Sequence, residues 1–293
     1  MSEIDDILIR QVELALMEDV GPGDITTLGC IPDEPAEAEI FVKSDGVLAG
    51  LPLVEMVFHQ LDHKIKMEFK KNDGEHFTRG DTIIQIKGNR RAIMTGERTA
   101  LNFLGHLSGV ATLTAQFADQ IKGSKTKILD TRKTMPGMRH LEKYAVACGG
   151  GENHRYGLYD MVLIKDNHIA SCGSVKKAVD QVRNYLKSDD FKKRFVISPE
   201  DVVIEVEVES EAQLKEAIAC GVNRLLLDNQ TIEGLSRLVK TARSLNPEIK
   251  LEASGNMTLD RVAEAAAVGV DFISIGALTH SAPSSDFSLR IIA

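Results

Sequence analysis

Tryptophan is absent from the sequence, and only 5% of its 293 residues are aromatic. Proteins that bind single-stranded nucleic acids stack bases on aromatic side chains, so this scarcity argues against that function. Positive charge is also in deficit, because the formal net charge at pH 7 is −8. An acidic balance disfavours nucleic acids and anionic membranes, and no apolar run approaches the roughly 20 residues of a membrane span. We therefore expect neither a nucleic-acid partner nor a membrane partner.

Cysteine is scarce as well, and its spacing excludes the common metal and redox motifs. No CxxC pair is present, and no histidine stands at zinc-site spacing from a cysteine. We interpret the cysteines as small hydrophobic residues in a reducing compartment, which predicts a cytoplasmic location. The acidic beginning, MSEIDD, also lacks a signal-peptide pattern. The four cysteines are Cys30, Cys148, Cys172 and Cys220.

The hydrophobic content of 43% allows two domains with packed cores in a chain of this length. The first, over residues 1–110, is predicted to be an α+β sandwich. Apolar residues such as Ile7, Val12 and Leu16 recur at helical spacing near the start. Alternating segments between glycine-containing turns then predict strands. The predicted strands are 38–42, 65–69 and 82–86, with helices over 51–59 and 91–107, the second interrupted near residues 105–109.

From residue 111 to residue 278 the pattern becomes strand followed by helix, repeatedly. Short apolar strands alternating with helices indicate a parallel sheet that is buried on both faces. Six strands fall short of the eight in a full barrel, so we predict an α/β fold with an incomplete, open barrel. The tail, 279–293, is expected to join the first domain. The predicted strands are 127–130, 161–164, 202–208, 224–227, 250–253 and 272–275, and the helices are 141–148, 175–186, 211–220, 232–245 and 259–268.

A polar or small residue follows each of these six strands. Because the carboxyl ends of parallel strands gather at the ligand-binding end of a barrel, we expect these residues to lie together. Small loops near helix starts also expose N–H groups that bind phosphate. In chain order the strand-end residues are Arg132 and Lys133, Lys165, Glu207, Asp228, Ser254-Gly255-Asn256 and Gly276.

The cations among them indicate a receptor for a small, highly charged anion. Arginine binds carboxylate or phosphate through two parallel hydrogen bonds, whereas lysine acts as a point charge. A solvated charged loop is the alternative, because nearby acidic residues almost balance the cations. His154 is by itself more typical of a structural histidine, but beside Arg155 it suggests a clamp for a dicarboxylate. Lys165 could be an ordinary strand-end lysine, a Schiff-base nucleophile or a cation for an anionic substrate.

Glu205 and Glu207 alternate with aliphatic residues, so both glutamates face the same side of their strand. Burying a glutamate is unfavourable unless it is paired or bound to a metal. An exposed sheet edge is the alternative. The carboxylates of Glu207 and Asp228 supply the hard oxygen ligands that Mg²⁺ prefers.

Taken together, the motifs resemble those of the quinolinate phosphoribosyltransferases, the type II phosphoribosyltransferases of NAD synthesis. The resemblance covers nearly the whole chain in order, with small departures at Gly105, Met135 and Met138. The central motifs are Asp130-Thr-Arg-Lys-Thr134, Gly149-Gly-Gly-Glu-Asn-His-Arg155, Leu163-Ile-Lys-Asp-Asn-His168, Glu205-Val-Glu207, Leu226-Leu-Asp-Asn229, Glu252-Ala-Ser-Gly-Asn256 and Ile275-Gly-Ala-Leu-Thr-His-Ser281.

The resemblance implies transfer of a phosphoribosyl group from phosphoribosyl diphosphate to quinolinate, with loss of CO₂. It implies Mg²⁺ as cofactor, held by Glu207 and Asp228 directly or through water, and catalytic roles for Lys133, Lys165, Glu207 and Asp228. It also implies a homodimer, able to assemble further, in which Arg98 reaches the partner's site. The substrate-binding residues that it implies are Arg98, Arg132, Lys133, Thr134, His154, Arg155, Lys165, Glu207, Asp228, Ser254, Gly255, Asn256, Ile275, Gly276 and Ala277.

Four alternatives stay open from the sequence. A phosphoribosyltransferase that uses nicotinate would share the sugar site but release no CO₂. A pyrophosphorylase relative associated with molybdenum transport is expected to depart around Lys165–His168, a segment that is intact here. A Schiff-base aldolase would use Lys165 as its nucleophile. A barrel that binds a ligand without catalysis is the remaining alternative, and so many convergent charges disfavour it.

Overall fold

The chain forms two compact units in the computed structural model, which describes residues 3–292. The first unit contains the chain up to Ala115, the segment Thr134–Gly151 and the chain from Ala277 onward. The second contains Gln116–Lys133 and Glu152–Gly276. The predicted domains, 1–110 with 279–293 and 111–278, stay predictions, and their outermost residues 1, 2 and 293 lie outside the described part. The units differ from them chiefly in placing Thr134–Gly151 with the N-terminal segment.

Helices and strands alternate through most of the described chain, and their bounds are as follows. They are α1 (Glu3–Val20), α2 (Ile25–Cys30), β1 (Pro35–Val42), β2 (Gly46–Val47), α3 (Leu51–Leu61), β3 (Lys66–Phe69), β4 (His76–Phe77), β5 (Thr82–Asn89), α4 (Arg90–Gln120), β6 (Lys127–Leu129), α5 (Arg139–Cys148), β7 (Val162–Ile164), α6 (Asp166–Cys172), α7 (Val175–Leu186), α8 (Asp189–Arg194), β8 (Ile204–Val208), α9 (Glu211–Ala219), β9 (Arg224–Asp228), α10 (Ile232–Leu245), β10 (Lys250–Ser254), α11 (Leu259–Ala267), β11 (Phe272–Ser274), α12 (Ala277–His280) and β12 (Phe287–Ile291). Between residues 3 and 292, no helix has both the length and the apolar character needed to cross a membrane.

The first unit is built on an antiparallel sheet with the strand order β12-β1-β5-β3. Its buried residues include Ile40, Ile84 and Ile86, and α3 adds Val57 and Phe58 to the apolar interior. The tail strand β12 pairs with β1 from Ala38 opposite Ile291 to Val42 opposite Phe287. The tail therefore adds an edge strand to the sheet of the first unit.

Helix α4 is continuous from Arg90 to Gln120, so the predicted interruption near residues 105–109 is wrong. Glycine lowers helix stability when nothing else compensates for its flexibility. Here tertiary packing compensates, because Gly105 and Gly109 lie against the backbone of Pro283–Ser285, where a β-carbon would clash. The carbonyl oxygen of Gly105 also accepts a hydrogen bond from the Ser285 N–H at 2.9 Å. The glycines thus allow close approach and do not break the helix.

The second unit contains the six-stranded sheet, in the order β6-β11-β10-β9-β8-β7. Every pairing in it is parallel. Among the described residues no pairing joins β6 to β7, so the sheet does not close. Aliphatic residues such as Val206, Leu225 and Leu251 are fully buried in it. The predicted open α/β barrel is confirmed.

Candidate active site at the carboxyl ends of the strands

Register places the predicted strand-end side chains on one face of the parallel sheet. In β8 and β9, Glu207 pairs with Leu226, and in β9 and β10, Asp228 pairs with Ser254. Because alternate residues of a strand face the same side, Glu207, Asp228 and Ser254 share a face. Lys165 follows β7 directly and joins them, because its ammonium nitrogen lies 3.7 Å from Oε2 of Glu207.

The arginines Arg132 and Arg155 form a cationic pair with no carboxylate partner in the described structure. Burial lowers the pKa of Arg155 and the neighbouring charge of Arg132 lowers it further, whereas the charges of Asp160 and Glu205 raise it. Arg155 donates from Nη1 to the carbonyl oxygen of Met161 at 3.1 Å, whereas the buried Nε of Arg132 has no hydrogen-bond partner. The two guanidinium groups lie close together and repel each other, and Nε of Arg132 is a buried donor without an acceptor. An anion bound between them would satisfy both.

Lys165 is held at the start of α6, where its side chain is about half exposed at 49%. Its backbone N–H donates to Nδ1 of His168 at 2.9 Å. His168 therefore has a structural role at the beginning of the helix. Burial raises the pKa of Glu207, Lys165 lowers it, and the charge of Asp228 raises it again. Two carboxylates that repel each other beside a lysine favour the binding of a further cation.

Asp228 is fixed by its neighbour Asn229, whose Nδ2 donates to Oδ2 of Asp228 at 2.7 Å. Asn229 has a φ of 50° and Asn256 a φ of 46°. Asparagine tolerates this left-handed region better than most residues, but its use at two adjacent loops stores backbone strain. Gly255 packs so closely on Asn229 that a β-carbon there would clash. These two loops are thus locked together at the ends of β9 and β10.

A cavity of about 580 Å³ lies next to these loops, at the start of α10. Thr231 caps that helix by accepting the Gly234 N–H. The cavity is lined by Asn229, Gln230, Thr231, Ile232, Asn256 and Arg261.

The loop after β11 differs from the prediction in one detail. The Ile275 N–H donates to the carbonyl oxygen of Leu129 at 2.9 Å, so it is not available to a phosphate. Arg98, Thr134 and Ala277 belong to the first unit, where Arg98 is exposed on α4 and Thr134 accepts a hydrogen bond from Nε of Arg139 at 3.1 Å. The substrate contacts implied for these residues stay predictions.

His154 is buried and has protein partners at both ring nitrogens. Its Nε2 lies 3.1 Å from Oε2 of Glu205 and 3.4 Å from Oε2 of Glu252. Its Nδ1 accepts the Arg155 backbone N–H at 2.8 Å. That hydrogen bond requires an unprotonated Nδ1, so the ring carries its proton on Nε2 and donates it to Glu205. The predicted contact of His154 with a substrate carboxylate stays a prediction.

The pKa of His154 is set by burial on one side and by its two carboxylate neighbours on the other. Burial lowers the pKa of His154, but its hydrogen bonds to Glu205 and Glu252, together with their charges, raise it above its ordinary value. To become positively charged, the ring would have to take a second proton at Nδ1, which would break the hydrogen bond from the Arg155 N–H. The loss of that hydrogen bond works against a raised pKa of His154. Burial and the charge of Glu252 raise the pKa of Glu205. Burial also raises the pKa of Glu252, but the hydrogen bond and charge of His154, the hydrogen bond with Ser274 and the charge of Arg224 together lower it below its ordinary value.

The partners Glu252 and Arg224 were missed by the sequence interpretation. Glu252 lies in the middle of β10 and Arg224 begins β9, two and four residues before the strand-end positions Ser254 and Asp228. The period of two along a strand could have placed them on the same face as the site.

The open barrel, with charged side chains gathered at its strand ends, defines a class of protein, the α/β-barrel enzymes. The family model "Quinolinate phosphoribosyl transferase, C-terminal domain" matches residues 110–290, and the corresponding N-terminal domain model matches residues 24–108. The chain belongs to the quinolinate phosphoribosyltransferase family.

Similar proteins cover almost the whole chain. The "Probable nicotinate-nucleotide pyrophosphorylase [carboxylating]" of Bacillus subtilis is 40% identical over 275 residues, which are 94% of this chain and 90% of the relative. The "Quinolinate phosphoribosyltransferase [decarboxylating] 1b" of Nicotiana tabacum is 40% identical over 96% of this chain and 81% of its own length. A solved nicotinate-nucleotide pyrophosphorylase structure from Francisella tularensis superposes with a TM-score of 0.89 at 39% identity, covering 98% of this chain and 96% of that chain.

Proposed function

We propose that this chain transfers the phosphoribosyl group of phosphoribosyl diphosphate to the ring nitrogen of quinolinate, releasing pyrophosphate and CO₂. The product is nicotinate mononucleotide, a precursor of NAD. Membership of the family supports this activity, and so do the names of relatives that are 40% identical. The observation that carries the proposal within the chain is the arginine pair Arg132 and Arg155, which has an unused buried donor.

The arginine pair suits a dicarboxylate such as quinolinate. Each guanidinium can bind one carboxylate through two hydrogen bonds, which fixes both the position and the plane of the ring. A fixed ring holds its nitrogen in line with the anomeric carbon, and this orientation lowers the entropic part of the barrier. Positioning the acceptor is therefore the first role of the site.

The lysines serve the other reactant. Lys165 lies close to the carboxylate of Glu207 yet has a half-exposed side chain, so its ammonium group can also contact a departing pyrophosphate. Lys133 is exposed immediately after Arg132. Positive charge near the leaving oxygen stabilises the negative charge that develops as the bond to the anomeric carbon breaks. Ser254, Gly255, Asn256 and Gly276 line the loops that we assign to the phosphate.

Glu207 and Asp228 fit a magnesium ion and the ribose. Their carboxylates are hard oxygen ligands that face the same side, and the charge of Asp228 raises the pKa of Glu207. A bound Mg²⁺ would neutralise part of the pyrophosphate charge. The same carboxylates accept hydrogen bonds from ribose hydroxyls and favour positive charge on the anomeric carbon.

Chemically, two bonds form and two break. The ring nitrogen bonds to the anomeric carbon as the bond from that carbon to the pyrophosphate oxygen breaks. The nitrogen becomes positively charged, so the ring can accept the electron pair that remains when the 2-carboxyl group leaves as CO₂. A proton then replaces the carboxyl group on the ring.

We also propose that the chain forms a homodimer whose subunits share their active sites, and that the enzyme is located in the cytoplasm. Exposure of Arg98 on α4 supports a role for its side chain outside its own unit. The cysteines are all free thiols, which suits a reducing compartment.

The direct test supplies quinolinate that is carbon-labelled in its 2-carboxyl group, with phosphoribosyl diphosphate and Mg²⁺. We expect labelled CO₂ and nicotinate mononucleotide in equal amounts, measured by gas trapping and liquid chromatography. Nicotinate, which lacks the 2-carboxyl group, is the matched control substrate. Product from nicotinate with quinolinate inert would overturn the proposal, and so would trapping of a carbonyl compound on Lys165 by borohydride.

A further inference from the structure

Three neighbouring strands of the barrel direct charged side chains into a buried layer below the strand-end site. Glu205 of β8 pairs in register with Arg224 of β9, and Leu226 of β9 pairs with Glu252 of β10. Arg224, Leu226 and their partners therefore share one face of the sheet. Glu205 and Glu252 are fully buried, and charge in such a place is strongly unfavourable unless it is compensated.

Compensation comes from Arg224 and His154. Nη1 of Arg224 lies 3.2 Å from Oε2 of Glu252, and its guanidinium stacks 4.2 Å from the centre of the Phe272 ring. Nε2 of His154 lies between the two carboxylates, at 3.1 Å from Glu205 and 3.4 Å from Glu252. These charge-assisted contacts hold the four residues together, although Oε1 of Glu205, Oε1 of Glu252 and Nε of Arg224 are buried without a hydrogen-bond partner.

From this layer the ring of His154 extends to the backbone of the substrate clamp. The backbone N–H of His154 donates to Oδ1 of the buried Asp130 at 2.9 Å, which fixes the position of the residue. The opposite ring nitrogen accepts the Arg155 N–H. The orientation of the imidazole therefore decides where the Arg155 backbone lies, and Arg155 is the neighbour of Arg132 in the anion site.

We propose that Glu205, Glu252 and Arg224 are positioning residues that fix the His154 ring, and through it Arg155, in the geometry that binds a substrate carboxylate. None of the three needs to touch the substrate. The inference rests on the proposed function, because it assigns the layer to the same arginine clamp.

A metal ion is the alternative occupant of the layer. One donor atom from each of His154, Glu205 and Glu252 lies within 4.8 Å of the others, and zinc accepts this ligand set. Against a metal, Arg224 places a positive charge 3.2 Å from the same Glu252 oxygen that faces His154. The geometry favours a proton shared between histidine and carboxylate.

A double-mutant cycle tests the positioning role. Glu205→Leu removes the hydrogen-bond acceptor, whereas Glu205→Gln keeps an acceptor of the same shape. We expect Glu205→Leu to raise the KM for quinolinate about tenfold, the loss of roughly 1.4 kcal/mol, while the KM for phosphoribosyl diphosphate stays unchanged. Glu205→Gln should restore most of the affinity. In an Arg155→Ala background Glu205→Leu should have little further effect, because its influence passes through Arg155.

Glu39→Gln is the matched control. Glu39 is also a buried glutamate, but it and its partner Arg290 both lie in the first unit, whereas the strand-end residues belong to the second. It should lower thermal stability without changing either KM. Additive losses in the Arg155→Ala background, or equal increases in both KM values, would overturn the positioning role. Stoichiometric zinc in the purified protein, measured by elemental mass spectrometry and lost in Glu205→Leu, would also overturn it. The wild-type enzyme is assayed in parallel. If the proposed function is wrong, the wild type itself will be inactive; if only the positioning role is wrong, the wild type will be active and the variants will behave as just described.

Discussion

Arg132 and Arg155 show how far single side chains decide the specificity of the site. Burial lowers the pKa of Arg155, and repulsion by the neighbouring guanidinium of Arg132 lowers it further. An anion with two negative groups removes that repulsion and uses the unpaired Nε of Arg132. A monocarboxylate can neutralise only part of the pair, so the site should prefer a dicarboxylate.

Loss of Arg132 should therefore weaken quinolinate binding selectively. A charge-assisted contact contributes roughly 1.5–3 kcal/mol, so Arg132→Ala should raise the KM for quinolinate about 10- to 100-fold. Arg132→Lys should recover only part of the loss, because an ammonium group cannot form the paired hydrogen bonds. Steady-state kinetics with each substrate varied in turn make the measurement. Arg194→Ala, at an exposed arginine paired with Asp190, is the control, and a change confined to phosphoribosyl diphosphate would contradict the assignment.

At the residue scale, the sequence identified the groups at strand ends but not the partners beneath them. Lys165 follows a short apolar run, Asp228 ends one, and Glu207 lies near the end of an alternating strand, so the pattern alone predicted that they lie together. Glu252 lies inside its strand and Arg224 begins its strand, and the period of two gives the face they share with the site but not whether such a charge is buried or exposed. Only the register of β8, β9 and β10 shows that they meet.

At the scale of elements, helices were predictable where capping residues and spacing agree. The bounds of α7 and α10 match the prediction, because Ser174 and Thr231 cap their first turns with side-chain oxygens. The short helices α2, α6 and α8 were not predicted, since six or seven residues are too few for an apolar period. Continuity of α4 could not be predicted either, because it depends on packing by a distant segment.

In helix α4, helix propensity and packing predict opposite effects of Gly109→Ala on the free energy of unfolding. Alanine favours a helix interior over glycine by about 1 kcal/mol, so Gly109→Ala would stabilise an isolated helix. In the folded chain the new β-carbon would collide with the carbonyl oxygen of Pro283. Overpacking of this kind typically destabilises by about 1–3 kcal/mol. We expect net destabilisation, measured as the free energy of unfolding in urea.

The control for that experiment is Gly29→Ala in α2, where a β-carbon would meet open space. It should be neutral or stabilising. Stabilisation by Gly109→Ala would show that the contact with Pro283 can relax, and that α4 owes its continuity to something other than this close approach.

At the scale of the whole molecule, a cationic site lies within a chain of net charge −8. Long-range attraction for anions is therefore weak, and binding depends on short-range contacts inside the pocket. Affinity should come from the geometry of the clamp and the phosphate loops. Such a site depends strongly on every element that completes it, including any supplied by another protomer.

Mixing two inactive variants tests whether the protomers share their sites. Arg98→Ala and Lys165→Ala should each lose activity, since Arg98 is assigned to the neighbour's clamp and Lys165 to the chain's own barrel. After co-refolding, each mixed dimer has one intact site, so roughly a quarter of wild-type activity should return for statistical pairing about a two-fold axis. Lys165→Ala mixed with Glu207→Ala is the control, because both changes lie in the same unit and every site keeps one defect. If the first mixture recovers no more activity than the second, Arg98 acts within its own chain or not at all.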